Sequence, residues 1–189
     1  AGRAKTRLAA DVGVGRAISF ARHGAGAVMR RLGVDTRWET IIALSPDVAV
    51  SRTGWRAFAR VIPQGPGDLG ARMQRVFDRL PPGPVVLVGT DIPRIRPAHI
   101  TRAFRLLGNA DVVLGPAGDG GYWLVGMNRR PRRIAPFANV RWSSPHALAD
   151  TRANLAGRKV ACADILDDVD DGASLRRDAA YAARVALPV

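Results

Sequence analysis

The sequence is poor in cysteine, in lysine and in long apolar runs, and these shortages exclude several classes of protein. Cys162 is the single cysteine in 189 residues, which excludes an intramolecular disulfide and a zinc site built on several cysteines. No apolar run approaches the roughly 20 residues that cross a bilayer, and no charged-then-apolar leader opens the chain. We therefore expect a cytoplasmic protein with no membrane partner.

Several motifs that identify enzymes are also missing. The chain has no Walker-type phosphate loop and no nucleophile elbow, and Gly13-Val14-Gly15 alone is too weak to indicate a dinucleotide fold. The histidines, His23, His99 and His146, stand singly, without the paired spacing of a zinc site. We therefore expect a histidine to be a surface or a satisfied interior residue.

Positive charge is in excess and is carried almost entirely by arginine. Lysine and arginine number 29 against 16 acidic residues, a formal net charge of +13, yet Lys5 and Lys159 are the only lysines. Clustered cations favour nucleic acid, but the arginines here are scattered along the chain. Nucleic acid is therefore a disfavoured partner, whereas a small phosphate-bearing substrate would use the same charge.

Helical patterns alternate with short apolar runs along the whole chain. This alternation predicts an α/β domain, residues 1–189, with a mostly parallel sheet covered on both faces. The predicted helices are 16–32, 67–80, 98–107, 145–155 and 174–185. The predicted strands are 40–44, 85–88, 111–116, 122–127 and 159–163, with a basic irregular connection at 131–139.

Asp91 is the leading candidate for chemistry because it follows the apolar run Val85–Val88 and precedes Pro93. Ligands gather at the carboxyl ends of strands in open α/β sheets. Two interpretations of this aspartate stay open: it caps a turn, or it binds a divalent cation, whose preferred ligands are carboxylate oxygens.

Acidic residues recur in two later segments. Asp119 lies in the glycine-rich stretch Gly118–Trp123, where glycine lets a ligand approach the backbone. Alternation along the next strand predicts that either Tyr122 or Trp123 is in the core and leaves the other to face a base or sugar ring. The run Asp167–Asp171 would repel itself unless it is solvated, caps a helix ahead of Ser174, or is neutralised by a metal.

The first residues form a basic segment with two interpretations. Gly2–Arg7 contains three cations, a glycine and a hydroxyl, a composition that can wrap phosphate oxygens. A frayed basic terminus explains the same residues.

These segments together resemble a bacterial glycosyltransferase-like family, the radical-SAM/selenodomain-associated transferase 1 or arsenosugar biosynthesis glycosyltransferase family. The resemblance spans nearly the whole chain and implies the nucleotide-diphospho-sugar transferase (GT-A) fold, a Rossmann-like three-layer αβα sandwich. The motifs that carry it are Gly2–Leu8, Gln64–Met73, Gly89–Pro93, Leu114–Tyr122, Trp142–Ser144 and Asp168–Asp170.

The resemblance also implies a role for individual residues. Arg3, Lys5, Arg7 and Thr90 would bind the nucleotide. Asp91 and Asp170 would hold Mg²⁺ or Mn²⁺. Asp91 and Asp119 would be the catalytic carboxylates, and Gly120, Gly121 and Tyr122 would shape the acceptor side.

Two departures from the family pattern accompany this resemblance. Relatives carry an apolar first strand before the basic segment, whereas this chain begins at that segment, so we expect the fold to lack its first strand. Gly118 replaces a usual acidic residue, and Asp171-Gly172 replaces a usual Thr-Pro.

The implied activity is a metal-dependent transfer from a nucleotide sugar to a small-molecule acceptor. Two alternatives remain: a nucleotidyltransferase that joins a nucleotide from an NTP to a phosphorylated acceptor and releases pyrophosphate, and a catalytically inactive binding module of the same fold.

Overall fold

The computed structural model describes residues 6–57, 59–129 and 133–185. Within these ranges, each helix is too short or too polar to cross a membrane. The helices are α1 (Thr6–Val12), α2 (Val14–Leu32), α3 (Leu69–Arg79), α4 (Pro97–Leu107), α5 (Ala147–Ala153) and α6 (Gly172–Val185), with 3₁₀ turns at Asp47–Ala49 and Gly54–Ala57. The strands are β1 (Ile41–Leu44), β2 (Arg60–Pro63), β3 (Pro84–Val88), β4 (Val112–Pro116), β5 (Tyr122–Asn128) and β6 (Val160–Cys162).

Each helix and strand expected from the apolar pattern is present, with ends shifted by a few residues. Two elements were not predicted. Helix α1 occupies part of the segment interpreted as a basic loop or frayed terminus, and the short strand β2 lies where no strand was expected. The predicted irregular connection has no regular structure over 133–139, while 130–132 lie outside the described residues.

The strands form two sheets. Strands β1 and β2 are a parallel pair, and the other sheet has the order β3-β5-β4-β6. Strand β5 is antiparallel to both β3 and β4, whereas β4 and β6 are parallel. Strands β3, β4 and β6 therefore run in the same direction, so their carboxyl ends lie at the same end of the sheet.

Helices cover both faces of the larger sheet. The side chains of Val86 and Val88 pack into one apolar cluster with α2 and α4, while those of Val85 and Leu87 pack into a second cluster with α3. Successive residues of a strand point to opposite faces, so these clusters lie on the two sides of β3. The α/β fold class and its three layers are confirmed.

Helix α3 begins at a side-chain cap. The Asp68 carboxylate accepts a hydrogen bond from the backbone N–H of Ala71 at 2.7 Å, which satisfies one of the N–H groups that a helix leaves unpaired at its start. Helix α3 buries Met73 and Phe77 against the sheet. The cap therefore stabilises a helix that contributes to the core.

We expect Asp68→Ala to destabilise the protein by about 1 kcal/mol and to lower Tm by roughly 3 °C. Asp68→Ser keeps an acceptor at the cap and is the matched control, with Tm close to that of the parent. Thermal unfolding followed by circular dichroism measures both. Equal losses from the two variants would contradict the capping role.

Candidate functional site

Three carboxylates converge beyond the carboxyl end of β3. Asp91, Asp168 and Asp170 each offer an oxygen, and these atoms lie within 4.8 Å of one another. All three residues are half-buried. The structure brings together the two residues predicted as metal ligands, Asp91 and Asp170, and adds Asp168.

A backbone contact explains why residues so distant in sequence meet. The N–H of Val169 donates to the carbonyl oxygen of Asp91 at 3.2 Å. The Val169 side chain is buried, in a cluster with Leu8 and Ala17. This apolar residue anchors the late segment, and its two acidic neighbours in sequence join Asp91.

The other two aspartates of the acidic run, Asp167 and Asp171, accept hydrogen bonds from backbone N–H groups. Asp171 accepts a hydrogen bond from the Ser174 N–H at 2.6 Å, at the start of α6, and this bond is the main reason that the pKa of Asp171 lies below its ordinary value. Asp167 accepts a hydrogen bond from the Gly118 N–H at 2.9 Å. The expectation that an aspartate of this run caps the last helix is therefore confirmed.

Helix α1 brings a cation to the carboxylates. The guanidinium of Arg7 lies 2.8 Å from the Asp170 carboxylate, and the Asp11 carboxylate accepts a hydrogen bond from the Gly172 N–H at 2.8 Å. Arg7 is thus in the first turn of a helix that is attached to the late acidic segment. Arg3 and Lys5, the other predicted nucleotide-binding cations, lie outside the described residues.

One cavity of about 1310 Å³ contains most of the predicted site. It reaches from the acidic group to the loop between β4 and β5. The predicted residues on its walls are Arg7, Thr90, Asp91, Asp119, Gly121, Tyr122 and Asp170, and Asp168 joins them.

Gly120, predicted to shape the acceptor side, does not line this cavity. Its contacts are with the segment at the start of α5. Its φ of 84° is in the left-handed region, and an added Cβ would collide with the backbone of Pro145. Its carbonyl oxygen accepts a hydrogen bond from the Leu148 N–H at 3.0 Å. This glycine allows the loop to pack against α5.

The loop between β4 and β5 also lines the cavity. The Asp119 carboxylate accepts a hydrogen bond from the Gly121 N–H at 2.8 Å, is exposed, and is not part of the described acidic group. Trp123 is buried and donates its indole N–H to the Asp164 carbonyl. The prediction that one of the two aromatic residues is in the core is thus confirmed for Trp123.

Tyr122 also lines the cavity and is half-buried. The Thr151 hydroxyl donates to its phenol oxygen at 3.3 Å, and the Trp142 indole meets its ring edge-on at 6.2 Å. Burial raises the pKa of the Tyr122 phenol well above its ordinary value. The phenol is therefore neutral across the physiological range, when it can act as a hydrogen-bond donor and not as a base.

The acidic group suits a hard divalent cation. Its three donors are carboxylate oxygens, without sulfur or imidazole, and such donors favour Mg²⁺ or Mn²⁺. Adjacent carboxylates disfavour one another's charged form unless a cation balances them. The Arg7 guanidinium supplies one positive charge beside Asp170.

Solved structures of the same fold include nucleotide-handling proteins. A proposed nucleotide-diphospho-sugar transferase from Desulfovibrio desulfuricans G20 is 24% identical, with a TM-score of 0.76 over 97% of this chain and 92% of that chain. CMP:2-keto-3-deoxy-manno-octonic acid synthetase, complexed with CTP, is 16% identical, with a TM-score of 0.53 over 92% of this chain and 90% of that chain. The fold is therefore that of the nucleotide-diphospho-sugar transferases.

A manganese complex is also among the similar structures. Rv0371c of Mycobacterium tuberculosis H37Rv, solved with manganese, is 19% identical, with a TM-score of 0.51 over 83% of this chain and 84% of that chain. No curated protein sequence matches the chain.

A sequence model of a bacterial family matches residues 28–144. The family is described as "Uncharacterized protein conserved in bacteria (DUF2064)", and this chain belongs to it. The matched region contains strands β1 to β5 and Asp91, whereas Asp168 and Asp170 lie beyond it. The narrower resemblance to the radical-SAM/selenodomain-associated transferases stays a prediction.

Gly89 provides a test of the position of the Asp91 carboxylate. A Cβ added to Gly89 would lie 2.6 Å from Asp91 Oδ1, so the carboxylate would have to move while the backbone need not. We expect Gly89→Ala to fold normally and to bind Mn²⁺ at least tenfold more weakly, a difference of about 1.4 kcal/mol. Isothermal titration with Mn²⁺ measures this affinity.

Gly54→Ala is the matched control, because a Cβ there meets nothing within 4 Å. Unchanged Mn²⁺ affinity in Gly89→Ala would contradict a role for the Asp91 carboxylate in cation binding.

Arg7 competes with a bound cation for Asp170. Removal of its charge in Arg7→Gln is expected to tighten Mn²⁺ binding by up to about fivefold, since partly exposed ion pairs are worth about 0.2–1 kcal/mol. The gain should shrink as ionic strength rises. Arg105→Gln removes the same charge from the last turn of α4 and is the control. Equal effects from the two variants would indicate a change in net charge and not a local competition.

Proposed function

We propose that the protein is a metal-dependent transferase that uses a nucleotide-sugar donor. The observation that carries this proposal is the convergence of Asp91, Asp168 and Asp170 in a cavity that Arg7 also lines. The carboxylates would hold a divalent cation that balances the charge of a diphosphate, and the guanidinium would donate to the phosphate oxygens. The CTP and manganese complexes of structures with the same fold support this assignment.

The donor side consists of the acidic group and the basic start of the chain. Asp91, Asp168 and Asp170 would hold Mg²⁺ or Mn²⁺. When bound, this cation neutralises charge that develops on the departing diphosphate. Arg7 and Thr90, which line the same cavity, would donate to the phosphate oxygens. The same role for Arg3 and Lys5 rests on the family resemblance.

The acceptor side is the loop that precedes β5. Asp119 carries an exposed carboxylate on the cavity wall, and we propose that it accepts the proton of the attacking hydroxyl. Gly121 leaves space for the acceptor, and the neutral Tyr122 phenol orients it. The acceptor oxygen bonds to the anomeric carbon, and the bond from that carbon to the diphosphate breaks. Catalysis is then mainly a matter of position and electrostatics.

Nucleotidyl transfer is the second candidate, and the CTP-bound synthetase of the same fold favours it. In this reaction a phosphorylated acceptor attacks the α-phosphate of an NTP, and pyrophosphate leaves. The same carboxylates and the same guanidinium would serve both reactions, since each stabilises a departing diphosphate or pyrophosphate. The products distinguish them.

The first experiment is a thermal-shift screen with and without Mn²⁺. UDP-, GDP- and ADP-sugars, CTP and GTP are each added to the parent, to Asp168→Asn and to the matched control Asp164→Asn. Asp164 is in the same late segment, pairs with Arg102 at 3.2 Å and is outside the acidic group. We expect a metal-dependent rise in Tm for one nucleotide in the parent and in the control. Asp168→Asn should lose most of that rise.

The reaction products are then measured with the nucleotide that binds. Release of a nucleoside diphosphate from a sugar nucleotide supports glycosyl transfer, and release of pyrophosphate from an NTP supports nucleotidyl transfer. Binding without turnover in either assay would favour a catalytically inactive binding module. A rise in Tm that does not need Mn²⁺, or that Asp168→Asn retains, would contradict the metal-dependent site.

A further inference from the structure

Ser143 has a backbone conformation that serine rarely adopts. Its φ is 57°, and Asn139, with a φ of 54°, is the other described residue besides glycine in the left-handed region. Asparagine tolerates this region because its side chain can hydrogen-bond the local backbone, whereas serine is held there at a cost. Strained conformations persist where the surrounding structure imposes them, and they concentrate at functional sites.

Hydrogen bonds fix the chain on both sides of Ser143. The backbone N–H and the guanidinium of Arg141 donate to the Asp150 carboxylate at distances of 2.8–3.0 Å. On the other side, the Ser144 hydroxyl donates to the Arg141 carbonyl at 2.6 Å and accepts from the His146 N–H at 3.3 Å. The turn is thus closed around Ser143, and these bonds keep its backbone in the left-handed region.

The Ser143 hydroxyl is available to a ligand. Ser143 is exposed and lines the large cavity, and within the described part of the chain its hydroxyl has no hydrogen-bond partner. Asn139, in contrast, does not line the cavity. Ser143 is therefore the strained residue that can contact a ligand.

Two segments of the chain meet beside Ser143. A Cβ added to Gly120, in the loop before β5, would collide with the backbone of Pro145, and the rings of Tyr122 and Trp142 meet edge-on at 6.2 Å. The loop and the turn before α5 therefore pack against each other. We name the cavity-lining residues of 117–122 and 142–147 the acceptor wall.

The acceptor wall has no positive charge. Its lining residues are small, aromatic or hydroxylic, apart from the carboxylate of Asp119. The described arginines that line the cavity, Arg7, Arg37 and Arg72, belong to other segments and are bonded to residues outside this wall. A phosphate on the acceptor would thus face a carboxylate without a cation to balance it. Hydroxyl groups, in contrast, can donate to the carboxylate and exchange hydrogen bonds with a serine.

We propose that the acceptor is an uncharged compound with several hydroxyl groups, such as a sugar or a polyol, and that Ser143 selects it through a hydrogen bond to one of them. This inference rests on the proposed transferase function and names the substrate class of its acceptor side. It favours glycosyl transfer over the joining of a nucleotide to a phosphorylated acceptor. The strained turn has a use here, because a hydroxyl that is already fixed loses less freedom when the ligand binds.

The test measures binding of matched probes by saturation-transfer difference NMR, without metal or nucleotide. The probes are glycerol, myo-inositol and D-glucose, together with a monophosphate of each, at about 0.15 M salt to screen the basic surface. We expect a neutral probe to bind the parent and to bind Ser143→Ala about fivefold more weakly, the effect of one lost neutral hydrogen bond. Its monophosphate should fail to displace it.

Ser143→Gly separates binding from structural damage. Glycine adopts a positive φ readily, so we expect this variant to raise Tm by about 2 °C and to lose affinity for the neutral probe as Ser143→Ala does. Ser143→Ala keeps the strain and should leave Tm close to that of the parent. Asn139→Gly makes the same change at the other left-handed position and is the matched control, with unchanged affinity for the probe.

Three results would overturn the proposal. Absence of binding by every neutral probe would remove the substrate class, and equal affinity in the parent and in Ser143→Ala would remove the role of the hydroxyl. Displacement of the neutral probe by its monophosphate would assign the wall to a phosphorylated acceptor. The nucleotide screen is a separate measurement, so a protein that binds a nucleotide with Mn²⁺ and fails here keeps the transferase function and loses this acceptor class.

Discussion

A hydrogen bond between the backbones of Val169 and Asp91 holds the candidate site together. It connects the loop after β3 to a segment almost eighty positions later, and the burial of Val169 beside Leu8 fixes that segment against α1. The carboxylates on either side of Val169 meet Asp91 as a consequence. The apolar contact of Val169 with Leu8 thus determines where the carboxylates gather. Their negative charge in turn determines which ligands the cavity can bind.

Asp91 could be predicted from the sequence because it follows an apolar strand and precedes a proline, which places it at the carboxyl end of a strand. Asp168 could not be distinguished from its acidic neighbours, since the position of an aspartate within such a run does not show where its side chain points. The usable signal was Val169, the lone apolar residue in the run and a buried one. An apolar residue between two acids predicts that the acids share a side. The helix cap provided by an aspartate of this run was easier to predict, because helix caps have a local pattern.

The sequence predicted the fold class but not the direction and pairing of each strand. Alternation of helices and strands predicted the three layers, but the same apolar runs would suit strands of either direction, so the antiparallel placement of β5 between β3 and β4 had no local signature. Strand β2 is four residues long and ends at Pro63, which leaves too short a pattern to recognise. Helix α1 depends on tertiary contacts of Leu8 and Asp11 more than on its own basic sequence.

The hydrogen bond from Gly118 to Asp167 joins the loop between β4 and β5 to the late acidic segment. Asp167 is the immediate neighbour of Asp168, so this hydrogen bond holds the loop that would receive an acceptor against the segment that carries the acidic group. Insertions or deletions in this loop would displace the carboxylates as well. Under the proposed transferase function, a change in acceptor preference would therefore proceed by side-chain replacement at fixed loop length, in contrast to folds whose binding loops vary freely.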